Sequence, residues 1–457
     1  MTVPLQVLPQ IALQPSTSSV YSDVADPDCD IAVEDVWISF YRQKQGEEAA
    51  RSLHGKLRIT ETDQPKEVEV TVREGSFEVT LLNPNALQVS CDSLSIPSTR
   101  LLLPSSSTNV PAPTSSKTEE IPAPSFYSSS TGIDCFAISN DRKRIVLGSR
   151  DGQCRVVEVV AFEDASHKKI KKGKEVALRG HVGDITCVEF FPSNEVVLTA
   201  SSDMSLRVFS TKDGTCPRHL QGHTKRVTGT HILVGGEHKG REVLSSSLDG
   251  TLKLWDLSTG QNTQTWTLPH PISALEVISS TEVVGDNVLE GKIALCGHSD
   301  GTISKISLFP SEPTNSSVST TFKSSLNTSS IESLSYNPKT RILAAGSRNG
   351  IVGLFEISED SPSEVDALTA WRRTEGSSIN SVEWHAVDDS LLIASSDGLP
   401  YRVSIDRDET SGRIEVRLLD EFVGSNCDPC TEIFATAEGN VWISGGSGDG
   451  TLRVYEL

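Results

Sequence analysis

The chain has 457 residues, a formal net charge of −20 and 9 cysteines that lack the close spacing of a small disulfide-bonded domain. The excess of carboxylates argues against nucleic acid and anionic membrane surfaces as partners, because both reward clustered lysine and arginine. The first residues do not resemble a secretory signal and no apolar run of about 18 residues occurs, so we expect a cytoplasmic and nuclear protein with free thiols.

Residues 1–97 lack the repeated turns found further along the chain and contain short alternating segments instead. Alternation of β-branched or aromatic residues with polar ones is typical of half-buried strands. The segments are 36–41, 56–59, 67–72, 77–82 and 87–91. Turn-forming residues such as Glu74-Gly75 separate them. The sequence therefore predicts a small β-rich N-terminal domain over 1–97.

Residues 98–131 are predicted to be a linker, because 104–131 consist mostly of serine, threonine and proline. Such a segment buries too little apolar surface to offset the entropy that it would lose on ordering. A phosphorylated regulatory segment is an alternative interpretation of the same composition. The exception is 99–104, where three consecutive leucines, Leu101 to Leu103, predict a strand.

From residue 132 onwards a turn signature recurs seven times, at intervals of 46 to 52 residues. In each copy an apolar alternating strand follows the turn. The copies begin at Asp151, Asp203, Asp249, Asp300, Asn349, Asp397 and Asp449. Repeats of this kind predict the blades of a propeller. Because the seventh copy ends at Leu457, we expect 99–104 to supply the outer strand of the last blade and to remove an exposed sheet edge.

Residues 222–257 carry the most complete repeat, which starts with Gly222-His223 and ends with Trp255-Asp256. Their spacing predicts a hydrogen-bond relay within one sheet, in the order Asp249, His223, Ser245, Trp255. This stretch resembles the WD-repeat family, and the resemblance implies that these four residues are its structural tetrad. A Ser-His-Asp hydrolase triad is the alternative, but no nucleophile elbow surrounds Ser245 and the chain order matches no known triad.

The other repeats keep only part of this pattern. The repeat that starts at Gly180-His181 has Thr199 and Asp203 but Phe209 in place of the tryptophan, and the remaining copies lack the histidine or the tryptophan. Packing of apolar strands must therefore hold most blades together. The predicted fold is all-β, with a seven-bladed WD-repeat β-propeller over 132–457 preceded by the small N-terminal domain.

Two further motifs contain residue types that can carry chemistry. The pair Cys427 and Cys430 is a Cys-x-x-Cys motif without a second metal-binding pair or a βαβ context, so we interpret it as a loop before the last blade. The basic cluster 168–174 is either an import signal, a patch for an acidic partner or, as we expect, a solvated loop within the insertion 163–174. No cofactor motif or catalytic constellation is found, so we expect a protein that is not an enzyme and binds no cofactor or metal.

A narrower resemblance rests on the runs 178–181, 188–198, 216–223 and 424–429 and on the β-rich region that precedes the repeats. Together they resemble the WD-repeat assembly chaperones of the proteasome regulatory particle, most clearly over 176–257 and 421–457. That resemblance implies a non-catalytic chaperone that holds the C-terminal domain of one ATPase subunit of the proteasome base and leaves before the particle matures. We expect a monomer before this partner binds.

The resemblance also implies that partners bind the propeller face that carries the blade-leading loops and the tight turns. Side chains at those loops that the tetrad does not use are the candidates for partner binding: Asp184, Arg150, Glu332, Arg348, Asn380 and Asp428. An acidic face there suits lysine and arginine on an ATPase domain. Two alternatives stay open, namely a scaffold or substrate receptor of another complex such as a ubiquitin ligase, and an enzyme that uses the central channel.

Overall fold

The computed structural model confirms the all-β class. The residues that it describes are 5–26, 28–44, 49–64, 67–109, 132–150, 152–162, 169–234, 241–278, 293–308, 318–324, 326–357, 364–408, 413–425, 428–436, 439–445 and 450–457. Within them the chain forms one α-helix, at Thr17–Ala25, and a 3₁₀ turn at Asp92–Leu94. The predicted linker and phosphorylation segment fall largely at 110–131, outside the described residues, as do Asp151, Asp449 and Cys427.

Four consecutive antiparallel strands form each of the first four sheets after residue 132. Sheet one comprises Cys135–Ile138, Arg144–Gly148, Cys154–Phe162 and Lys169–Leu178. Sheet two comprises Ile185–Phe190, Val196–Ser201, Ser205–Ser210 and Arg218–Gln221. Sheet three comprises Val227–Leu233, Glu242–Ser247, Thr251–Asp256 and Gln261–Thr267. Sheet four comprises Ile272–Ile278, Ile293–His298, Ile303–Ser307 and Val318–Lys323, and Glu364–Asp366 pairs with its edge in parallel.

Three further sheets take strands from the N-terminal region. Sheet five comprises Ile331–Asn337, Ile342–Ser347, Ile351–Glu356 and Thr369–Arg372, with Leu5–Val7 on its edge. Sheet six comprises Ile379–Trp384, Leu391–Ser395, Tyr401–Arg407 and Ile414–Phe422, followed outward by Ile96–Leu102, Ala86–Cys91 and Glu78–Asn83. Sheet seven comprises Cys430–Ala435, Asn440–Gly445, Thr451–Glu456 and Ser106–Asn109.

The first strands of these sheets contact one another in order, and the first strand of sheet seven contacts that of sheet one. Buried apolar side chains fill the space between each pair of neighbouring sheets. For example, Trp255 of sheet three packs with Leu198, Leu206 and Leu220 of sheet two. Burying one side chain of this size contributes about 1.5–3 kcal/mol, so packing between sheets is the main stabilising contact.

The turn between the second and third strands lies against the loop that leads to the next sheet. Gly350 has a φ of 84°, and a Cβ at this position would lie 2.7 Å from the carbonyl oxygens of Thr374 and Ser377. Only glycine fits such a position without displacing the neighbouring backbone. This contact places the tight turns and the sheet-leading loops on one edge of the sheets, which we call the upper rim. The opposite edge carries the turns between the first and second strands and is called the lower rim.

The N-terminal residues form a further four-stranded sheet, whose core also includes residues of the outer strands of sheet six. Its strands are Gln10–Leu13, Val33–Arg42, Arg51–Glu61 and Val68–Glu74. The helix packs on this sheet and buries Val20, Tyr21 and Val24. All five strands that the alternating segments predict are present, whereas the helix and the strands at Leu5–Val7 and Gln10–Leu13 were not predicted.

The predicted boundary at residues 97 and 98 is wrong, and so is the proposed closing strand at 99–104. Ile96–Leu102 is one strand that runs parallel to Ile414–Phe422 of sheet six. Leu101 is buried in the N-terminal core and Leu102 in the core between sheets six and seven, which explains the apolar run. The fourth strand of sheet seven is Ser106–Asn109, antiparallel to Thr451–Glu456. An outermost strand needs only backbone pairing, so its polar sequence gave no apolar signal.

The basic cluster was expected in a solvated loop, and this expectation is also wrong for most of it. Residues 169–174 belong to the strand Lys169–Leu178, which pairs with Cys154–Phe162 through a bulge between Val157 and Val159. The insertion therefore lengthens a β-hairpin at the outer edge of sheet one. The rest of the predicted insertion, at 163–168, lies outside the described residues.

Candidate protein-interaction surface

All six candidate residues for partner binding lie on the upper rim. Arg150 and Arg348 follow the second strands of sheets one and five, where the tight turns begin. Asp184 and Asp428 lie just before the first strands of sheets two and seven. The last two are the second residues of the first strands of sheets five and six: Glu332 and Asn380.

Hydrogen bonds and ion pairs within the rim engage four of the six. The Arg150 guanidinium lies 3.1 Å from a carboxylate oxygen of Asp134. The Arg348 guanidinium lies 3.1 Å from Glu332, so these two candidates pair with each other. Both are surface pairs, which contribute at most about 1 kcal/mol and remain accessible to a partner. For Asp184 and Asp428 no ion pair occurs among the described residues, which leaves their carboxylates available.

Asn380 has a structural contact that the sequence did not reveal. Its side-chain amide donates to the carbonyl oxygen of Cys430, the first residue of sheet seven, at 2.8 Å. Asn380 lies at a β-bulge, and bulge residues of two other first strands make the same contact with the next sheet. These are Thr228 with Ile272 at 2.9 Å and Thr431 with Ile133 at 2.7 Å. The bulges therefore link neighbouring sheets at the upper rim.

The structure places the four tetrad residues in one hydrogen-bonded chain. His223 contacts Asp249 through Nδ1 at 3.0 Å and Ser245 through Nε2 at 2.8 Å. The Trp255 indole N–H donates to the same serine oxygen at 2.8 Å. Ser245 is completely buried, so its hydroxyl has no access to a substrate. The geometry suits a structural relay, and a hydrolytic triad would require an exposed nucleophile.

Burial lowers the pKa of His223 and outweighs the opposing effect of its hydrogen bond to Asp249. The neutral ring then donates its Nδ1 proton to Asp249 and accepts the Ser245 hydroxyl proton at Nε2. For Asp249, burial acts against ionisation, but hydrogen bonds from Thr251, Thr224 and His223 prevail and lower its pKa to about 2. An ionised aspartate, a neutral histidine and a neutral serine satisfy every donor in the relay.

Sheet two repeats the relay without its tryptophan. His181 contacts Asp203 at 2.9 Å and Thr199 at 2.8 Å. Phe209 occupies the position of the indole and packs edge-on against the His181 ring, with 6.3 Å between ring centroids and 63° between ring planes. The relay therefore needs the histidine, the hydroxyl and the carboxylate, while the aromatic ring contributes packing.

Sheet six is held by a buried ion pair that sequence reasoning missed. Arg373 is 3% exposed, and its guanidinium lies 2.5 Å from Glu421. The same guanidinium donates to the carbonyl oxygens of Pro9 and Leu399, each at 3.1 Å. The backbone N–H of Ile11 completes the site by donating to Glu421 at 3.0 Å. The pair thus ties the N-terminal segment to sheet six.

A second buried carboxylate on the same strand has two arginine partners. Asp420 is completely buried and accepts from Arg100 through both oxygens, at 2.7 and 3.1 Å. It also accepts from Arg402 at 2.5 Å, and Arg402 reaches Asp388 at 2.9 Å. Two cations compensate the buried charge of Asp420. No short motif encodes this site, because its members lie up to 320 positions apart in the chain.

The surface where the first strands face one another carries half-buried glutamates. Each of three accepts a backbone N–H from the first strand of the next sheet. These are Glu189 with Ile232 at 3.2 Å, Glu276 with Tyr336 at 3.2 Å and Glu432 with Phe136 at 2.6 Å. Burial raises the pKa of Glu189 to about 8 and those of Glu276 and Glu432 to about 7. These side chains join adjacent sheets on the inside of the ring, and they were not predicted.

Glu383 lies on the first strand of sheet six and belongs to the same surface. Burial raises its pKa to about 8, and the negative charges of Glu276 and Glu432 add to the rise. Among the residues that the structure describes, no group of three or more His, Cys, Asp or Glu side chains is arranged to hold a metal ion. In the same part of the chain no helix is long and apolar enough to cross a membrane.

Comparison with known proteins matches the WD domain, G-beta repeat family at residues 173–210 and 214–256. Each match covers the last strand of one sheet and the first three strands of the next, so the sequence repeat is offset by one strand from the sheets. The second match contains His223, Ser245, Asp249 and Trp255, and its last residue is Asp256.

Three curated relatives illustrate the range of similar proteins. Apoptotic protease-activating factor 1 of Danio rerio is 33% identical over 30% of this chain and 10% of its own length. Periodic tryptophan protein 2 of Arabidopsis thaliana is 25% identical over 52% of this chain and 25% of its own length. The 26S proteasome regulatory subunit RPN14 of Saccharomyces cerevisiae is 28% identical over 64% of this chain and 67% of its own length.

The first two relatives are therefore matched over a quarter of their length or less, whereas the third is matched over most of both chains. The repeat family, the relays at its signature positions and the four-stranded sheets agree with one another. The chain contains WD repeats, and two of them span 173–210 and 214–256.

Proposed function

We propose that the seven sheets are the blades of one WD-repeat propeller, and that the chain is a non-catalytic assembly chaperone of the proteasome regulatory particle base. It binds the C-terminal domain of one proteasomal ATPase through the upper rim, in the cytoplasm and the nucleus. The observation that carries this proposal is the similarity to the 26S proteasome regulatory subunit RPN14 across 64% of this chain and 67% of that protein.

The upper rim supports a role in protein binding. Rigid sheets hold its loops, and such loops are where scaffolds place binding residues. Asp184 and Asp428 carry carboxylates without ion pairs among the described residues, at a rim that also exposes Arg348 and Glu332. The net charge of −20 steers a basic partner towards the protein over longer distances.

The proposal is tested by calorimetry with purified full chain against each of the six isolated ATPase C-terminal domains. We expect one domain to bind, and binding to weaken as salt rises because exposed charges are screened over about 8–10 Å. Reversing three upper-rim charges together, Asp184→Lys, Glu332→Lys and Asp428→Lys, should weaken the complex without unfolding the protein. The control reverses three exposed carboxylates of the lower rim, Glu195→Lys, Glu356→Lys and Glu456→Lys, and should bind as wild type.

Two results would contradict the proposal at different points. If none of the six domains binds at low salt, the chaperone function is wrong, and a scaffold or substrate receptor of another complex, such as a ubiquitin ligase, takes its place. Co-purification with ligase subunits would then identify that function. If one domain binds but the lower-rim control weakens binding more than the upper-rim variant, the partner is right and the face is wrong.

A further inference from the structure

The upper rim of sheet two exposes two apolar side chains, one on each side of Asp203. Val182 is 89% exposed and Met204 is 43% exposed. Both flank Asp203: Met204 follows it in the chain, and the backbone N–H of Val182 donates to its carboxylate at 3.2 Å. The two side chains therefore belong to one unit, formed by the tight turn of sheet two and the loop that leads into its first strand.

Met204 also has an unusual backbone conformation. Its φ is 69°, in the left-handed region, where the Cβ of an L-residue crowds the following carbonyl oxygen. The other six turns at this position use glycine, with φ between 59° and 87°: Gly152, Gly250, Gly301, Gly350, Gly398 and Gly450. The backbone of this turn therefore favours glycine, and the strained, exposed methionine does not help to form the turn. Residues held in such conformations are concentrated at binding and catalytic sites.

The loop that leads from sheet two to sheet three exposes two cations on the same rim. Ser205, which follows Met204, pairs with Gln221, so Met204 lies near the start of this loop, 222–226. Lys225 and Arg226 are exposed at its end. Neither side chain has an ion pair within the part of the chain that the structure describes. Exposed apolar side chains and cations on one rim suit a partner surface that presents an apolar side chain beside a carboxylate.

We propose that Val182 and Met204 form an apolar anchor on the upper rim, which receives an apolar side chain of the bound protein while Lys225 and Arg226 face a carboxylate beside that side chain. The anchor rests on the proposed function, in which the bound protein is the C-terminal domain of a proteasomal ATPase. Apolar centres surrounded by polar groups carry most of the binding energy of such interfaces. Methionine suits this role because its flexible side chain adapts to an irregular partner surface.

The test separates a binding role from a structural one by restoring glycine to the turn. Met204→Gly removes the apolar side chain and the strain together. We expect it to weaken binding of the ATPase C-terminal domain about tenfold, while the melting temperature stays the same or rises by about 1–3 °C. Val182→Ser should also weaken binding of this domain. The probe is the domain, among the six, that binds wild-type full chain in calorimetry.

The matched control is Arg341→Gly. Arg341 has a φ of 58° and lies in the turn between the first two strands of sheet five, on the lower rim. This substitution relieves the same kind of strain away from the anchor, so the variant should bind as wild type. The double variant Lys225→Glu and Arg226→Glu should also weaken binding. The loss should be larger at low salt than at high salt, because salt screens the charges.

Each of the other possible outcomes disproves a specific part of the proposal. Wild-type binding by both Met204→Gly and Val182→Ser would disprove the anchor and leave the chaperone function standing. A lower melting temperature for Met204→Gly would show that the methionine stabilises the fold instead. Tighter binding after reversal of Lys225 and Arg226 would disprove the carboxylate beside the apolar side chain. If none of the six domains binds the wild-type protein, both the proposed function and the anchor are disproved.

Discussion

Sheets two and three differ from sheet six in how their polar interiors are satisfied. In sheets two and three a neutral histidine bridges an aspartate and a hydroxyl, and all partners lie within 26 positions of one another. In sheet six, arginines neutralise Glu421 and Asp420, and the contacts reach up to 410 positions along the chain. The relays stabilise a sheet from within, whereas the ion pairs fasten a distant segment onto it.

The two relay sheets also form a comparison between themselves. The rings of His223 and Trp255 lie 6.2 Å apart at 63°, and those of His181 and Phe209 lie 6.3 Å apart at 63°. The position therefore accepts either aromatic ring without changing the arrangement. Only the indole adds a hydrogen bond, so the difference isolates what that bond contributes.

The largest effect is expected from removing the N-terminal region. A chain that begins at residue 111 lacks the fourth strand of sheet seven and the strands on sheets five and six. It also lacks Pro9, which accepts a hydrogen bond from Arg373, and Arg100, one of the two arginines that pair with Asp420. An open sheet edge and buried charges that have lost part of their compensation should leave an insoluble product or one without a cooperative unfolding transition. Thermal unfolding followed by circular dichroism checks this. A soluble 111–457 fragment that unfolds cooperatively would show that the N-terminal contacts are dispensable.

Next in size is the loss of one partner of the buried pair in sheet six. Arg373→Met leaves Glu421 buried beside an apolar side chain, and the free energy of unfolding should fall by about 3–5 kcal/mol in urea denaturation. Arg373→Met combined with Glu421→Gln should recover much of this loss, because no uncompensated charge remains. A double variant as unstable as the single one would mean that packing of Arg373, and not its charge, holds the segment.

Substitution of the relay tryptophan tests sheet three against sheet two. Trp255→Ala leaves a cavity between the sheets and should cost about 3–5 kcal/mol. The matched variant is Trp255→Phe, which copies Phe209. It loses only the indole hydrogen bond and some contact area, so about 1–2 kcal/mol is expected. If Trp255→Phe is as damaging as Trp255→Ala, the similarity of the two relays is superficial.

The effect of pH is the smallest when it is measured over a change of one pH unit. Glu189 and Glu383 have folded pKa values of about 8, well above their usual value, so the folded protein holds protons that the unfolded chain releases. The free energy of unfolding should therefore fall as pH rises from about 4.5 through 8, by at most about 1.4 kcal/mol per pH unit for each group.

The relay histidines have the opposite sign. Burial lowers the pKa values of His181 and His223 below 6.5, so their contribution is lost as pH falls and is complete above about pH 7. Denaturation between about pH 7 and 8.5 thus isolates the glutamates. Glu383→Gln should flatten the slope in this window, whereas an unchanged slope would show that Glu383 does not hold a proton in the folded protein.

Contacts between residues that are close in the sequence could be predicted from it, whereas contacts between distant segments could not. The relay of His223, Ser245 and Asp249 and the third strands after each turn were predictable, since their residues recur at fixed spacings. The partner of Ile96–Leu102 was assigned wrongly, because three leucines indicate a buried strand but not the sheet against which it packs. The pairing of Ser106–Asn109 was missed. Backbone pairing of a polar edge strand leaves no pattern at all.

The candidate surface divides in the same way. The positions of Asp184, Arg150 and Arg348 on one rim followed from the repeat. The hydrogen bond of Asn380 and the strain at Met204 did not, because the first depends on a neighbouring sheet and the second on a backbone angle. Met204 nevertheless left a trace in the sequence, as the one copy of the repeated turn without glycine.

The pairing of Ser106–Asn109 with the third strand of sheet seven imposes a delay during synthesis. Ser105 bonds to Val454, a residue 349 positions later, so at about 5–20 residues per second the ribosome needs about 17–70 s to deliver the partner. For most of that interval the leucines of Ile96–Leu102 and the strand Leu5–Val7 also lack their partner strands in sheets six and five. Between the synthesis of Ser105 and that of Val454, the nascent chain therefore exposes strand edges and leucines that the folded protein covers, and such surfaces are prone to aggregation.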